Sequence, residues 1–252
     1  MDIIPNCCRD QYDGYLLMKF FSKEEHRDAF LKGKLYCNTS DFFARCEHEG
    51  QGDWNEGNNL IVNPNEHNLQ SLNLEIVDNV PMMVLRDYTN DPENYKPSTV
   101  FTYSTADNRN RKLLCFYTLY LNIAQNRIAT VSPKMKAEFG DFGVLILKRQ
   151  PFFDRVCSTI NVDSSLHGVY MGFVSYESLQ PGVNDWHPFK KNAERFSHQN
   201  EFRLTFLSSD AEPYTLDLKQ SLSDIAVPIQ IDDIEKIHFE NGNLCYPIYK
   251  SV

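Results

Sequence analysis

The segment Phe196-Ser197-His198-Gln199-Asn200-Glu201-Phe202-Arg203-Leu204-Thr205-Phe206 constrains this chain more than any other. From Glu201 onward it reads as a β-strand, because apolar Phe202, Leu204 and Phe206 alternate with Arg203 and Thr205. Successive strand side chains point to opposite faces, so extending the alternation backwards places Gln199, Glu201, Arg203 and Thr205 together. One face then feeds an apolar core, while the other carries a carboxamide, a carboxylate and a guanidinium. Set in a cleft, that polar face offers a cationic transition state one negative charge and one neutral hydrogen-bonding arm. Set in water, Glu201 would pair with Arg203 or Lys191 and contribute little. A Gln-x-Glu tripeptide is common by chance, so its surroundings must carry the argument.

The 252 residues are 42% hydrophobic and 23% charged, an ordinary globular balance. A single α+β domain over residues 1–252 is expected, with a core across 14–207 and a C-terminal β extension across 208–252. No apolar run approaches the ~20 residues of a membrane span. The start, Met1-Asp2-Ile3-Ile4-Pro5-Asn6-Cys7-Cys8-Arg9, lacks the basic-then-apolar order of a secretory signal. Seven cysteines without zinc-type pairs point to free thiols in a reducing cytoplasm. The net charge of -9 counts against broad nucleic-acid binding. Two local basic clusters, Arg109/Arg111/Lys112 and Lys190/Lys191/Arg195, read as solvated faces.

Gly14–Phe21 predicts a buried strand interrupted by Lys19, an amine that must reach water or an anion. Ser22-Lys23-Glu24-Glu25 fits a capping box opening a helix that Gly33 ends. Leu35-Tyr36-Cys37 predicts a brief strand, and Ser40 or Asp41 the cap of a helical turn through Phe42 and Phe43. Residues 44–60 are polar, acidic and Gly-rich, the composition of a long functional loop. Strands follow near 72–77, 81–86 and 99–104, and Lys112–Tyr120 looks central. A short helix is expected over Pro133–Phe139, with Pro in its first turn and Gly140 at its end. Gly143–Lys148 and Phe152–Val156 read as a hairpin, Gly168–Tyr176 as a strand, and His187–Phe196 as a helix. The tail predicts strands near 213–217, 226–231, 235–239 and 244–249, with a helical turn across Leu216–Leu222. Strands outnumber short helices, which favours two packed antiparallel or mixed sheets with peripheral helices.

The acidic loop, with Glu47, His48, Glu49, Asp53 and Glu56, is a candidate for a divalent cation, but its spacing is not that of an EF-hand. His167, His187 and His198 fit no hydrolase or zinc-protease motif, and no P-loop is present. Cys115 and Cys157 read as inert core residues in apolar strands.

Several short motifs occur in a telling order. They are the polar first strand, Leu31–Tyr36 (Leu-Lys-Gly-Lys-Leu-Tyr), Gly52–Gly57 (Gly-Asp-x-x-Glu-Gly) and Cys115–Tyr117. Phe139–Ile146 (Phe-Gly-x-x-Gly-Val-x-Ile) follows, then Phe189-Lys190-Lys191 and Gln199-Asn200-Glu201-Phe202-Arg203. This order resembles a family of bacterial and phage-defence proteins assigned the ADP-ribosyltransferase fold. It is similar to toxins of that superfamily, whose last characteristic strand carries Gln-x-Glu or Glu-x-Glu. The resemblance implies NAD as co-substrate, no metal, and a cleft between two sheets. It implies Glu201 and Gln199 as catalytic residues: the carboxylate stabilises an oxocarbenium-like ribose, and the carboxamide orients the acceptor. It places Lys19, Tyr36, Phe116, Tyr117, Thr118 and Arg203 against NAD, and Asp53, Glu56, Lys190 and Lys191 toward a protein or RNA acceptor. A toxin of this kind implies an antitoxin partner or a trigger. Lys19 stands where related sequences often have His, Tyr or Arg. Their Ser-Thr-Ser element is missing, with Tyr117-Thr118 and Tyr103-Ser104-Thr105 as the nearest substitutes. Two other readings stay open: a metal-dependent nuclease built on the acidic loop, and a non-catalytic sensor or interaction module fed by 13% aromatic residues.

Overall fold

The computed structural model describes residues 14–48, 50–63, 70–77, 80–94, 101–122, 127–128, 131–180, 182–208, 210–240 and 243–247. Cys7-Cys8 and the amino terminus, Glu49, the start of the 99–104 strand and the end of the 244–249 strand lie outside the described residues. The first half runs β1 (Gly14–Phe21), α1 (Glu24–Leu31), β2 (Lys34–Thr39), α2 (Ser40–Arg45), β3 (Leu60–Asn63), β4 (Gln70–Val77), β5 (Val80–Asp87) and β6 (Phe101–Tyr103). Then come α3 (Ala106–Asn110), β7 (Lys112–Asn122), β8 (Arg127–Ile128), α4 (Pro133–Phe139), β9 (Phe142–Ile146) and α5 (Arg149–Val162). The chain continues through β10 (Leu166–Phe173), β11 (Ser175–Glu177), β12 (Gly182–Asp185), β13 (Lys190–Asn192), α6 (Ala193–Phe196) and β14 (Glu201–Ser208). The tail carries β15 (Tyr214–Asp217), β16 (Ala226–Gln230), β17 (His238–Glu240) and β18 (Asn243–Cys245). Among the described residues no helix is long and apolar enough to cross a membrane.

The fold is α+β. Its centre is a large antiparallel sheet in the order β10-β14-β7-β1-β9-β16, to which β2, β15 and β8 are joined through β7. The expected pair of sheets is thus linked into one hydrogen-bonded system, because β7 is long enough, at 11 residues, to serve several neighbours. Alternation along the strands sorts their side chains into two apolar clusters. Leu17, Leu114, Phe116, Val144, Phe202 and Leu204 belong to one, under α1 and α5. Leu16, Met18, Tyr117, Leu119 and Leu145 belong to the other, with Met135 of α4 and the tail residues Ile229 and Ile234.

The edge of β7 opposite β14 is split. Lys112 and Leu113 pair with Thr39 and Asn38 of β2. Tyr117–Leu121 pair with β1 in the register Met18↔Tyr117 to Gly14↔Leu121. Residues 114–116 lie between these two partners. Beyond Met18, β1 continues beside β9, up to Phe21↔Phe142, while β2 continues beside β15. α1 joins the diverging strands. Gly33 follows it at φ +86, where a Cβ would sit 2.2 Å from the Gln220 carbonyl oxygen, so only glycine fits the turn.

Several local expectations are corrected. The N-cap of α1 is Lys23, with no side-chain cap bond, rather than Ser22. Thr39, not Ser40 or Asp41, caps α2, accepting the Phe42 N–H at 3.0 Å. Phe152–Val156 is not a strand but part of the 14-residue α5, because Phe152, Val156 and Ile160 recur every four residues and are its buried stripe. Cys157 is therefore a helix residue. His187–Phe196 contains only the four-residue α6, preceded by β13. No helical turn forms over Leu216–Leu222, and residues 231–236 form a 3-10 helix where a strand was expected to begin. The basic clusters are solvated only in part: Arg109 and Arg195 are exposed, but Lys112 is fully buried and donates to the Asp210 carbonyl at 2.8 Å, and Lys191 is buried as well.

Phe152 stacks on Phe30 and meets Phe116 edge-to-face. Phe152→Ala should cost ~3–5 kcal/mol, whereas Val162→Ala at the 85% exposed end of α5 should change stability by less than ~0.5 kcal/mol. Urea unfolding of both variants checks this, and equal effects would contradict a helix with one buried stripe.

Candidate active site

β14 begins at a turn. Asn200 takes the left-handed conformation, φ 46 and ψ 50, which asparagine tolerates better than most residues. Its carbonyl accepts the Thr118 N–H at 2.8 Å, and its side-chain amide donates to the Thr118 carbonyl at 3.1 Å. Gln199 therefore ends a 3-10 turn instead of extending the strand pleat, as simple alternation predicted. It still reaches the same place as Glu201 and Arg203.

That place is buried. Glu201 is 4% exposed, Arg203 1%, Lys191 6% and Gln199 3%. The Arg203 guanidinium grips Glu56 with two bonds, Nη1 to Oε1 at 2.9 Å and Nη2 to Oε2 at 2.7 Å. Its Nε donates to Glu201 Oε1 at 2.5 Å, and Nη1 also donates to the Pro188 carbonyl. Lys191 Nζ lies 2.8 Å from Glu201 Oε2 and 2.6 Å from Gln199 Oε1. Gln199 Nε2 donates to the Gly50 carbonyl. The Glu201 N–H donates to the Tyr176 hydroxyl at 2.7 Å, fixing the backbone at the strand start. The loop after α2, β13 and β14 are thus tied by one chain of charge-assisted hydrogen bonds.

Burial opposes ionisation of Glu201, but Arg203 and Lys191 outweigh it and hold the carboxyl far below the ordinary 4.5. For Glu56 burial wins, with help from nearby Asp53, and the carboxyl is raised although Arg203 opposes the shift. Asp53 is raised by burial against the pull of Lys191. Burial pushes the Cys115 thiol up to about 12, so it is a neutral, unreactive group.

The split in the β7 edge opens into a cleft of about 310 Å³. Its floor is this network, and the diverging β1 and β2 form its sides. Of the residues singled out in the sequence, Lys19, Tyr36, Phe116, Tyr117, Glu56, Lys191, Gln199, Glu201 and Arg203 line it. Lys19 Nζ donates to the Cys115 carbonyl at 2.9 Å, in the unpaired stretch of β7. No carboxylate pairs with it among the described residues, so Lys19 supplies the cleft with an uncompensated cation. Tyr36 is 58% exposed and stands at the mouth. The Phe116 ring belongs to the core against Phe30 and Phe152.

Three expected site residues sit elsewhere. Thr118 is buried behind the wall, held through its backbone by Asn200. Asp53 is buried within the loop, where its Oδ1 accepts the Asn55 N–H at 3.0 Å. Lys190 points away and pairs with Glu177 at 3.0 Å. The acidic loop is therefore not a solvated segment at Asp53 and Glu56. Sequence reasoning missed Tyr176, Gly50 and Pro188, whose hydroxyl and carbonyls complete the network; backbone acceptors leave no signature in residue type. His198 fits no motif, yet its Nε2 meets Glu138 at 2.8 Å in a part-buried pair next to Gln199 in the chain. No protein-family model, curated protein or solved structure matches this chain.

Arg203→Ala should destabilise the protein by ~3–5 kcal/mol near neutrality, since it strands the Glu56 carboxylate and leaves Glu201 with Lys191 alone. In the unaltered chain Glu201 contributes stability above 4.5 and loses it as pH falls through its depressed folded value. Without Arg203 the burial that already raises Glu56 goes unopposed by its main cation, and the folded state weakens as pH rises past 4.5. The stability gap between the two proteins should therefore widen from about pH 5 to about pH 8. Denaturant melts at both values test this, and a constant gap would count against it.

Proposed function

We propose that this chain is an NAD-dependent ADP-ribosyltransferase acting on a macromolecular acceptor, protein or RNA, with Glu201 as the catalytic carboxylate. The observation that carries the reading is an ionised carboxylate buried on the floor of a cleft between two diverging strands. Charge fixed in a water-poor site acts strongly on charge that develops there. As the bond from nicotinamide to ribose stretches, positive charge grows on the sugar. Glu201 would accept a hydrogen bond from the ribose 2′-hydroxyl and lower the energy of that cation.

The other side chains fit supporting roles. Lys191 and Arg203 keep Glu201 charged and oriented. Lys19, whose partner among the described residues is a neutral carbonyl, is placed for a pyrophosphate oxygen. Tyr36, exposed at the mouth, offers a flat face for a base or nicotinamide ring. The cleft is at the small end of the ~300–1,000 Å³ of ligand pockets, room for one end of a dinucleotide. Gln199 has both ends of its carboxamide engaged, so acceptor orientation falls to it only if Lys191 shifts when substrate enters. An enzyme of this kind, active in the cell that makes it, is a toxin held in check by an antitoxin or a trigger, as in anti-phage defence.

Two of the carboxylates behind the nuclease reading are engaged within the chain. Glu56 spends both oxygens on Arg203, and Lys191 acts on Asp53; a divalent cation would have to displace cations of the chain itself.

Purified protein with labelled NAD and a cell lysate should consume NAD and transfer label. Glu201→Gln should cut turnover by ~10²–10³-fold while retaining a cooperative melt. Lys19→Ala should act mainly through a higher KM for NAD. Absence of NAD consumption by the unaltered protein, or full turnover by folded Glu201→Gln, would reject the proposal.

A further inference from the structure

The hairpin β17–β18 carries a second, unrelated chemistry. In its register His238 faces Cys245, Phe239 faces Leu244 and Glu240 faces Asn243. Alternation puts His238, Glu240, Asn243 and Cys245 on one face. Leu244, on the other, packs with Tyr246 against the second apolar cluster, and Ile237 before the hairpin is buried in it. His238 and Glu240 are exposed and Cys245 partly so. One imidazole nitrogen, one carboxylate oxygen and the thiol sulfur all lie within 4.8 Å of one another.

We propose that His238, Glu240 and Cys245 bind a zinc-class divalent cation that staples the C-terminal hairpin. The donor set selects the metal: nitrogen, sulfur and a single oxygen suit zinc, whereas calcium and magnesium need several oxygens. With zinc–ligand bonds of about 2.0–2.3 Å, tetrahedral ligands stand roughly 3.5 Å apart, so closure needs about an ångström of rotation in side chains free to move. His238 Nδ1 lies 2.9 Å from the Lys236 carbonyl. A carbonyl only accepts, so the proton sits on Nδ1 and Nε2 keeps its lone pair for a metal, a backbone partner typical of zinc histidines. The nearby Lys236 ammonium is paired to Asp233 and does not repel a cation freely. Cys245 Sγ is 4.0 Å from Glu240 Oε2, so these two donors are already neighbours. Three protein ligands leave the fourth position to water. A two-stranded ribbon is marginal alone, and a cross-strand metal would hold its two strands in register.

The test uses the full chain with reductant, zinc or cobalt alone, and no NAD. One equivalent of cobalt should give a tetrahedral spectrum with a charge-transfer band of single-thiolate intensity, and zinc should displace it. Zinc at about 100 times its Kd should raise Tm by several degrees. Cys245→Ser and His238→Ala should each weaken binding by at least ~10-fold, while Cys157→Ser, a thiol on α5, leaves it unchanged. Lack of a thiolate–cobalt band in the unaltered protein, or undiminished binding in both hairpin variants, overturns the proposal.

Discussion

Everything at the cleft depends on one buried guanidinium. Arg203 is fully buried and bonds two carboxylates from different parts of the chain, Glu56 and Glu201. Moving such charges out of water costs several kcal/mol per ion, and their attraction offsets this only when geometry and remaining hydrogen bonds are complete. Here they nearly are. Both Glu56 oxygens are bonded to Arg203, Glu201 divides its oxygens between Arg203 and Lys191, and Lys191 spans to Gln199. Apolar side chains on this face would pack with less cost. The four charges are therefore a cost to packing, one that the role proposed for Glu201 would account for.

The sheet explains why that floor is reachable. β7 is shared between β14 on one edge and both β1 and β2 on the other. Because β1 leaves toward β9 and β2 toward β15, the edge between them has no strand to fill it. A Cys115 carbonyl freed from ladder pairing must find another donor, and Lys19 provides it. The register then sets the polar residues beneath the gap: Glu201 opposes Tyr117 and Arg203 opposes Cys115. The same divergence that costs the sheet its continuity makes the cleft.

Much of this was legible in the sequence, and what was not failed for physical reasons. Strands β1, β2, β7, β14, β15 and β16 were marked by apolar runs or alternation, and α4 by its Pro and Gly ends. The polar face of β14 was marked by the spacing of Glu201, Arg203 and Thr205. α5 was misread because Phe152-Phe153 and Val156 look β-favouring over five residues, and only a window reaching Ile160 reveals the period of four. The turn at Asn200 was invisible to alternation, which assumes a pleat that a left-handed residue breaks. Lys112 reads as a solvated charge in sequence because its acceptor, the Asp210 carbonyl, is 98 residues away. Glu56 is 147 residues from Arg203, a pairing no local pattern encodes.

The charge balance of the network bears on how it could act. Glu56, Glu201, Lys191 and Arg203 sum to zero, so the resting floor exerts less field than a lone carboxylate would. A growing sugar cation must therefore gain from proximity to Glu201 more than it loses from the two cations behind it. Coulomb interactions fall with distance and strengthen as water leaves, so a ribose in direct contact with Glu201 can gain more than it loses. On the proposed reading, dinucleotide phosphates would sharpen the balance, for they would bring negative charge to draw Lys19, and Lys191 if it swings, away from the sugar. Were Lys191 to follow a phosphate, it would release one oxygen of Glu201 and the carbonyl of Gln199 together. Substrate charge would then uncover the carboxylate and the acceptor-orienting arm in the same movement, and the network would serve as a latch as well as a floor.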